Sequence, residues 1–271
     1  MRKIVIIVFV ICIAAVMSAT AQTAESYFSA GIEKYEKGLH KEALDDYTKA
    51  IKLSPKYAAA YNNRGIVKIE LSDKQGAIAD FTKAIELNPQ EAMLYVIRGT
   101  SKSALGDKNG AFADYTKAIE VNPQEADAYF QRGYAKNDLG DTKGAIADYT
   151  KAIEINPQFA LAYYNRGLAK SALGDKEGAI FDYTKAIELN PQYAKACYNR
   201  GIDKSALGDK NGAIADFTKA IELNSQYANA YYNRAAIYYN EGKKSLGCAD
   251  FQKAKELGLK QAASMIEKHS K

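Results

Sequence analysis

The chain has 271 residues, 47% of them hydrophobic and 25% charged, the balance of a folded globular protein and not of a disordered or low-complexity one. Its formal charge is +5, from 37 basic and 32 acidic residues; setting aside Arg2 and Lys3 as part of a removable leader leaves 35 basic against 32 acidic. A chain so nearly neutral gives no electrostatic ground for a nucleic-acid partner, and none is expected.

The first element is a leader over 1–21. Arg2 and Lys3 precede fourteen apolar residues, Ile4 to Met17, and the small-residue ending Ala19-Thr20-Ala21 follows. That order predicts a secretory signal peptide cleaved after Ala21. At about 1.5 Å per residue the apolar run reaches only about 21 Å, short of the roughly 30 Å that a spanning helix must cross. Membrane contact is therefore expected only through this segment, were it left uncleaved. Ile11 before Cys12 is too large for a lipid-attachment site, and no Asn-x-Ser/Thr acceptor occurs in the chain. The expected location is extracytoplasmic, periplasmic or secreted, of a bacterial kind.

From Ala24 onward one unit of 34 residues recurs without insertion. Pro55, Pro89, Pro123, Pro157 and Pro191 lie 34 apart, and Ser225 stands where the next proline would fall. Seven units follow, over 24–57, 58–91, 92–125, 126–159, 160–193, 194–227 and 228–261, within a repeat domain spanning 22–261. Positions are numbered 1 to 34 within each. A fixed period of this size means a solenoid of stacked repeats.

Within a unit, positions 4, 8 and 11 recur at helical spacing, then, after a break, 20, 24 and 27 do so again, which predicts a pair of helices. The break reads Leu-Gly-Asp-Lys, as in Leu105 to Lys108, where Gly106 suits a left-handed stop and Asp107 a cap for the second helix. Asn156-Pro157 should close that second helix, the proline serving the first turn of the next one. Connections this short force antiparallel neighbours. Position 8 should then face 24 and position 4 face 27, small against large, as with Gly167 against Tyr183 and Ala186 against Tyr163.

These residues, aromatic at 4, Gly at 8, Ala at 20, aromatic at 24, Ala at 27 and Pro at 32, resemble the tetratricopeptide repeat over Ala24 to about Gln261. The resemblance implies an all-α fold, a right-handed superhelical solenoid of antiparallel helix pairs. The segment from Leu259 to Lys271 reads as a polar capping helix, its end and tail occupying 262–271. The chain departs from the family pattern in carrying Arg at position 7 and, in units two to six, Lys at 11. Unit seven departs further, with Ala235 at 8 and Gly247 at 20. Each Arg at 7 accompanies an Asp at 23, and the two are expected to pair between helices. Unit one has Asp46 but Ala30, so that carboxylate should lack the partner or borrow one from a neighbour.

No catalytic constellation is present. His40 and His269 are far apart in sequence and stand near no cysteine or carboxylate cluster of ligand spacing, so neither a metal nor a cofactor is expected, and the protein reads as a non-enzyme. Cys197 and Cys248 are expected as free, buried thiols. The family resemblance implies a scaffold that holds a peptide or protein segment in a groove made by first helices. Binding of a glycan or cell-wall polymer, or service as an architectural spacer in an extracytoplasmic complex, are the other readings. Positions 2, 5, 6, 9 and 12 should line that groove, since 2, 5, 9 and 12 fall opposite 4, 8 and 11 and have no expected core duty. The candidate partner-binding residues are Phe28, Phe130, Tyr164, Tyr198 and Tyr232 at position 5, with Asn63, Gln131, Asn165, Asn199 and Asn233 at position 6. Rings with polar tips beside amides that both donate and accept suit an extended backbone. The row resembles the asparagine ladder of peptide-holding family members, whereas the lysines of the carboxylate-clamping members are missing: position 5 never carries Lys, and Lys195 at position 2 stands alone.

Overall fold

The computed structural model describes residues 23–269, so the expected signal peptide lies outside the described residues. Among them are fifteen α-helices and no strand. The chain divides into two compact units between Asn122 and Pro123. The first holds α1 (Ala24–Glu36), α2 (His40–Leu53), α3 (Ala58–Glu70), α4 (Lys74–Leu87), α5 (Ala92–Ser103) and α6 (Lys108–Val121). The second holds α7 (Ala126–Asp138), α8 (Thr142–Ile155), α9 (Ala160–Ala172), α10 (Lys176–Leu189), α11 (Ala194–Ala206), α12 (Lys210–Leu223), α13 (Ala228–Asn240), α14 (Lys244–Glu256) and α15 (Lys260–His269). The helices of each repeat pack most closely on each other, and within a unit each second helix packs on the first helix that follows. No helix among the described residues is long and apolar enough to cross a membrane.

Local chemistry sets the helix ends. Gly106 takes φ +87° and Gly174 φ +88° at the stop of the first helix, while in repeat two that place is held by Ser72 at φ 65°. One residue on, Asp107 accepts from the Gly110 amide at 2.9 Å and Asp175 from that of Gly178 at 2.9 Å. Each carboxylate thus satisfies one of the amides that a helix start leaves without a partner. The proline does not serve the next helix, as the sequence had suggested. Pro157 sits in a linking turn ahead of α9, in which Phe159 donates to the Asn156 carbonyl at 3.1 Å and Gln158 to Asn156 Oδ1 at 3.1 Å. Asn224 accepts from Gln226 in the same way at 3.0 Å with Ser225 in the proline's place, so the asparagine shapes the turn.

Small-on-large packing sets the distance between helices. A Cβ built on Gly167 would lie 2.7 Å from the Tyr183 ring, and one on Gly201 would lie 2.8 Å from Phe217. Repeat seven inverts the arrangement: Ala235 is buried at position 8, and Gly247 at 20 leaves room for the Ala235 carbonyl, 3.1 Å from where its Cβ would sit. Position 27 faces position 4 of its own repeat and also receives position 3 of the next, as where Cys197, Ala220 and Ala230 share one buried cluster. At the chain's first repeat, position 3 is the exposed Ser26, not a buried alanine such as Ala60. At the other end α15 packs on α14 and buries Ala262. Both cysteines among the described residues are free thiols. Cys197 is buried as expected, while Cys248 is exposed because it lies on the open side of α14.

Ala186 has no exposed surface. Ala186→Leu is expected to cost about 1 to 3 kcal/mol by overpacking, seen as a lower melting temperature with loss of protection in the adjoining repeats. Ser72→Gly, which removes a side chain from a left-handed site, should raise stability by up to about 1 kcal/mol in urea denaturation.

Candidate partner-binding surface

The first helices are held by a buried ion cluster. Arg166 Nε and Nη2 donate to Asp182 at 2.9 and 2.7 Å, and Lys170 reaches the same carboxylate at 2.8 Å. The arginine–aspartate pair recurs from Arg64–Asp80 to Arg234–Asp250, as the sequence spacing predicted. Asp182 has no exposed surface, so its charge depends wholly on these donors. The remaining guanidinium nitrogen reaches back, Arg166 Nη1 to Thr150 Oγ1 at 3.1 Å and Arg200 Nη1 to Thr184 at 3.0 Å. The Arg166 guanidinium also lies 5.5 Å from the Tyr163 ring centre. In repeat one Asp46 lacks the arginine, as Ala30 at position 7 implied, and is held within its own repeat instead: Lys34 at position 11 binds it, with Lys49 at 3.5 Å.

Position 5 does carry core duty, contrary to the sequence expectation. Phe130 is buried between Tyr149, at 5.8 Å between ring centres, and Phe159 at 4.9 Å. Tyr164 is held likewise by Tyr183 and Tyr193, Tyr198 by Phe217 and Tyr227, and Phe28 by Tyr47 and Tyr57. Tyr232 meets Phe251 at 5.4 Å. The second ring in each sandwich comes from position 34, which the sequence reading had not used. The signal was present: in repeats one, four, five and six aromatic at 5 goes with aromatic at 34, whereas Asn62 goes with Glu91 and Val96 with Glu125.

Most position 6 amides meet neighbouring side chains. Asn199 Nδ2 donates to the Tyr164 hydroxyl at 3.0 Å and Asn233 Nδ2 to that of Tyr198 at 3.0 Å, each tying one repeat to the one before. Asn165 follows Phe130, which has no hydroxyl, and donates instead to the Leu161 carbonyl of its own helix at 2.8 Å. Asn63 hydrogen-bonds the Tyr47 hydroxyl and accepts from Asn62 at 3.2 Å. Gln131 is half-buried. Burial pushes the Tyr164 and Tyr198 phenols above their ordinary value, and the donating amides offset part of that rise.

An opening along the first helices lies in the second unit, a depression of about 660 Å³. Tyr134 of α7 and Leu161 of α9 contribute apolar surface, 55% and 42% exposed. Tyr164, Asn165, Gln192, Tyr193, Ala194, Lys195, Asn224 and Tyr227 complete the lining. Of the ten sequence-predicted residues it gathers two, Tyr164 and Asn165; Asn63 and Asn233 line smaller hollows of about 260 and 240 Å³. Tyr134 and Leu161, at positions 9 and 2, were reached as groove positions but not singled out, and Lys195 at position 2 was noted as standing alone without being counted among the candidates. Among the described residues no three His, Cys, Asp or Glu side chains cluster as a metal site.

Models of the tetratricopeptide repeat match the chain at 31–72, 133–174 and 206–242, at 58–91 and 160–193, at 114–147 and at 94–125. No match is found among curated proteins. Among solved structures, the chain is similar to MamA, with 29% identity over 61% of this chain and 96% of that one and a TM-score of 0.57. It is also similar to YrrB, described as a TPR protein with an unusual peptide-binding site, at 25% identity over 69% and 97% with a TM-score of 0.62. A tetratricopeptide repeat protein from Parabacteroides merdae shares the fold at 21% identity over 91% and 98%, TM-score 0.65.

Tyr164→Phe removes only the acceptor of Asn199 and is expected to cost about 0.5 to 1.5 kcal/mol. Tyr164→Ala also empties the sandwich between Tyr183 and Tyr193 and should cost about 2 to 4 kcal/mol. Urea denaturation of the pair separates ring packing from the hydrogen bond.

Proposed function

The chain belongs to the tetratricopeptide repeat family, and we propose on that premise that it is a non-enzymatic scaffold holding a protein or peptide segment along its first helices. The observation that carries this reading is the depression in the second unit, where the exposed side chains of Tyr134 and Leu161 stand beside the amides of Asn165, Gln192 and Asn224. Apolar surface flanked by groups that donate and accept suits an extended backbone with one or two anchoring side chains. The sandwiched rings at position 5 act mainly by shaping this floor, and Tyr164 offers the partner its edge and hydroxyl. The description of YrrB as having a peptide-binding site supports the same reading. The leader read over 1–21 supports an extracytoplasmic setting.

A photo-crosslinking residue at Asn165, compared with one at Phe181 on the second helix of the same repeat, tests the assignment in cells. Adducts with a discrete protein are expected from 165 and not from 181. Tyr134→Ser with Leu161→Ser should abolish them, at about 2 kcal/mol or more for an anchoring contact, with the melting temperature nearly unchanged. Adducts from 181 alone, or adducts indifferent to the double change, would remove the assignment.

A further inference from the structure

The depression is nearly devoid of charge, and the exception sets its chemistry. Lys195 is the one charged residue among those that line it, and no acidic side chain faces it there. Several lysines of these repeats are engaged: Lys170 and Lys204 hold Asp182 and Asp216 at 2.8 and 2.9 Å, and Lys185 and Lys219 pair with Glu188 and Glu222. Lys195 is exposed at position 2 of α11 and has no ion-pair partner among the described residues. An unpaired ammonium beside the apolar surface of Tyr134 and Leu161 is complementary to a carboxylate next to an apolar side chain.

Resting on the groove reading above, we infer that the segment bound in this depression carries an internal Asp or Glu side chain that pairs with Lys195, with an apolar residue seated between Tyr134 and Leu161. The carboxylate belongs to a side chain and not to a chain end, because the lining continues past Lys195 to Asn224 and Tyr227, so a segment lying along it passes over the ammonium. Leu161 and Lys195 occupy the same position on neighbouring first helices. Packed helices lie about 8 to 10 Å apart and an extended chain rises about 3.3 Å per residue, so the acidic and apolar residues stand roughly three residues apart.

Selection of a random peptide library on the immobilised full chain tests this directly. The enriched peptides are expected to share an acidic residue roughly three places from a large apolar one, away from the C-terminus. Lys195→Glu should weaken them at least about tenfold and, in a fresh selection, favour a basic residue at that place; Lys195→Met should flatten the salt dependence of binding. Lys195 touches no partner, so these variants keep the fold, which a melting curve confirms. Peptides that require Tyr134 and Leu161 but bind Lys195→Glu unchanged, or that present only a C-terminal carboxylate, would overturn the inference and leave the groove standing. A selection with no enrichment, or peptides indifferent to Tyr134→Ser with Leu161→Ser, would overturn both.

Discussion

A buried carboxylate at position 23 is the constraint on which the stack depends. Asp80, Asp114, Asp148, Asp182 and Asp216 are all at most 5% exposed, and a charge so far from water costs several kcal/mol unless donors surround it. Arginine at position 7 supplies two parallel hydrogen bonds and lysine at 11 supplies a third. Because the free end of the guanidinium in repeats two, three, five, six and seven extends to a threonine one repeat back, satisfying the carboxylate there also sets how consecutive pairs register. The ends vary the device. Repeat one has Ala30 at the arginine position and leaves Asp46 to Lys34, and no repeat precedes it among the described residues. Repeat seven has Tyr238 in place of the lysine and leaves Asp250 to Arg234.

That frame explains where binding chemistry can sit. A first helix in a stack meets its own second helix on one side and a neighbouring repeat on the other, so more than half of its circumference is committed to packing. The rings at position 5 fall at this second contact and are held between positions 24 and 34. What remains open is narrower, chiefly positions 2 and 9 with parts of 5 and 6, and in the second unit these coincide with Tyr134, Leu161, Tyr164, Asn165 and Lys195.

The repeat period, the helix pair, the left-handed glycine, the capping aspartate and the contacts of positions 8 with 24 and 7 with 23 were legible because each needs only local propensity or one antiparallel contact. Position 5 was misjudged for a definite reason. A helical wheel with a single buried face places it opposite 4, 8 and 11, but the stack gives the helix two buried faces, and the second comes from a residue 29 places later in the chain. The position 6 asparagines were read as open to a ligand backbone for the same reason, since the hydroxyl that occupies Asn199 belongs to Tyr164, 35 residues earlier. Lys34 escaped notice because the lysine at position 11 was counted only from the second repeat onward.

The central claim is that the charge at position 23 holds the stack only because its donors accompany it, and urea denaturation of two variants measures this most directly. Replacing Arg166 and Lys170 by Met leaves Asp182 buried without its cations and should cost about 3 kcal/mol or more, while adding Asp182→Leu should recover most of that loss. A double variant within about 0.5 kcal/mol of the parent would mean that these pairs behave as solvated surface charges, and would contradict the account.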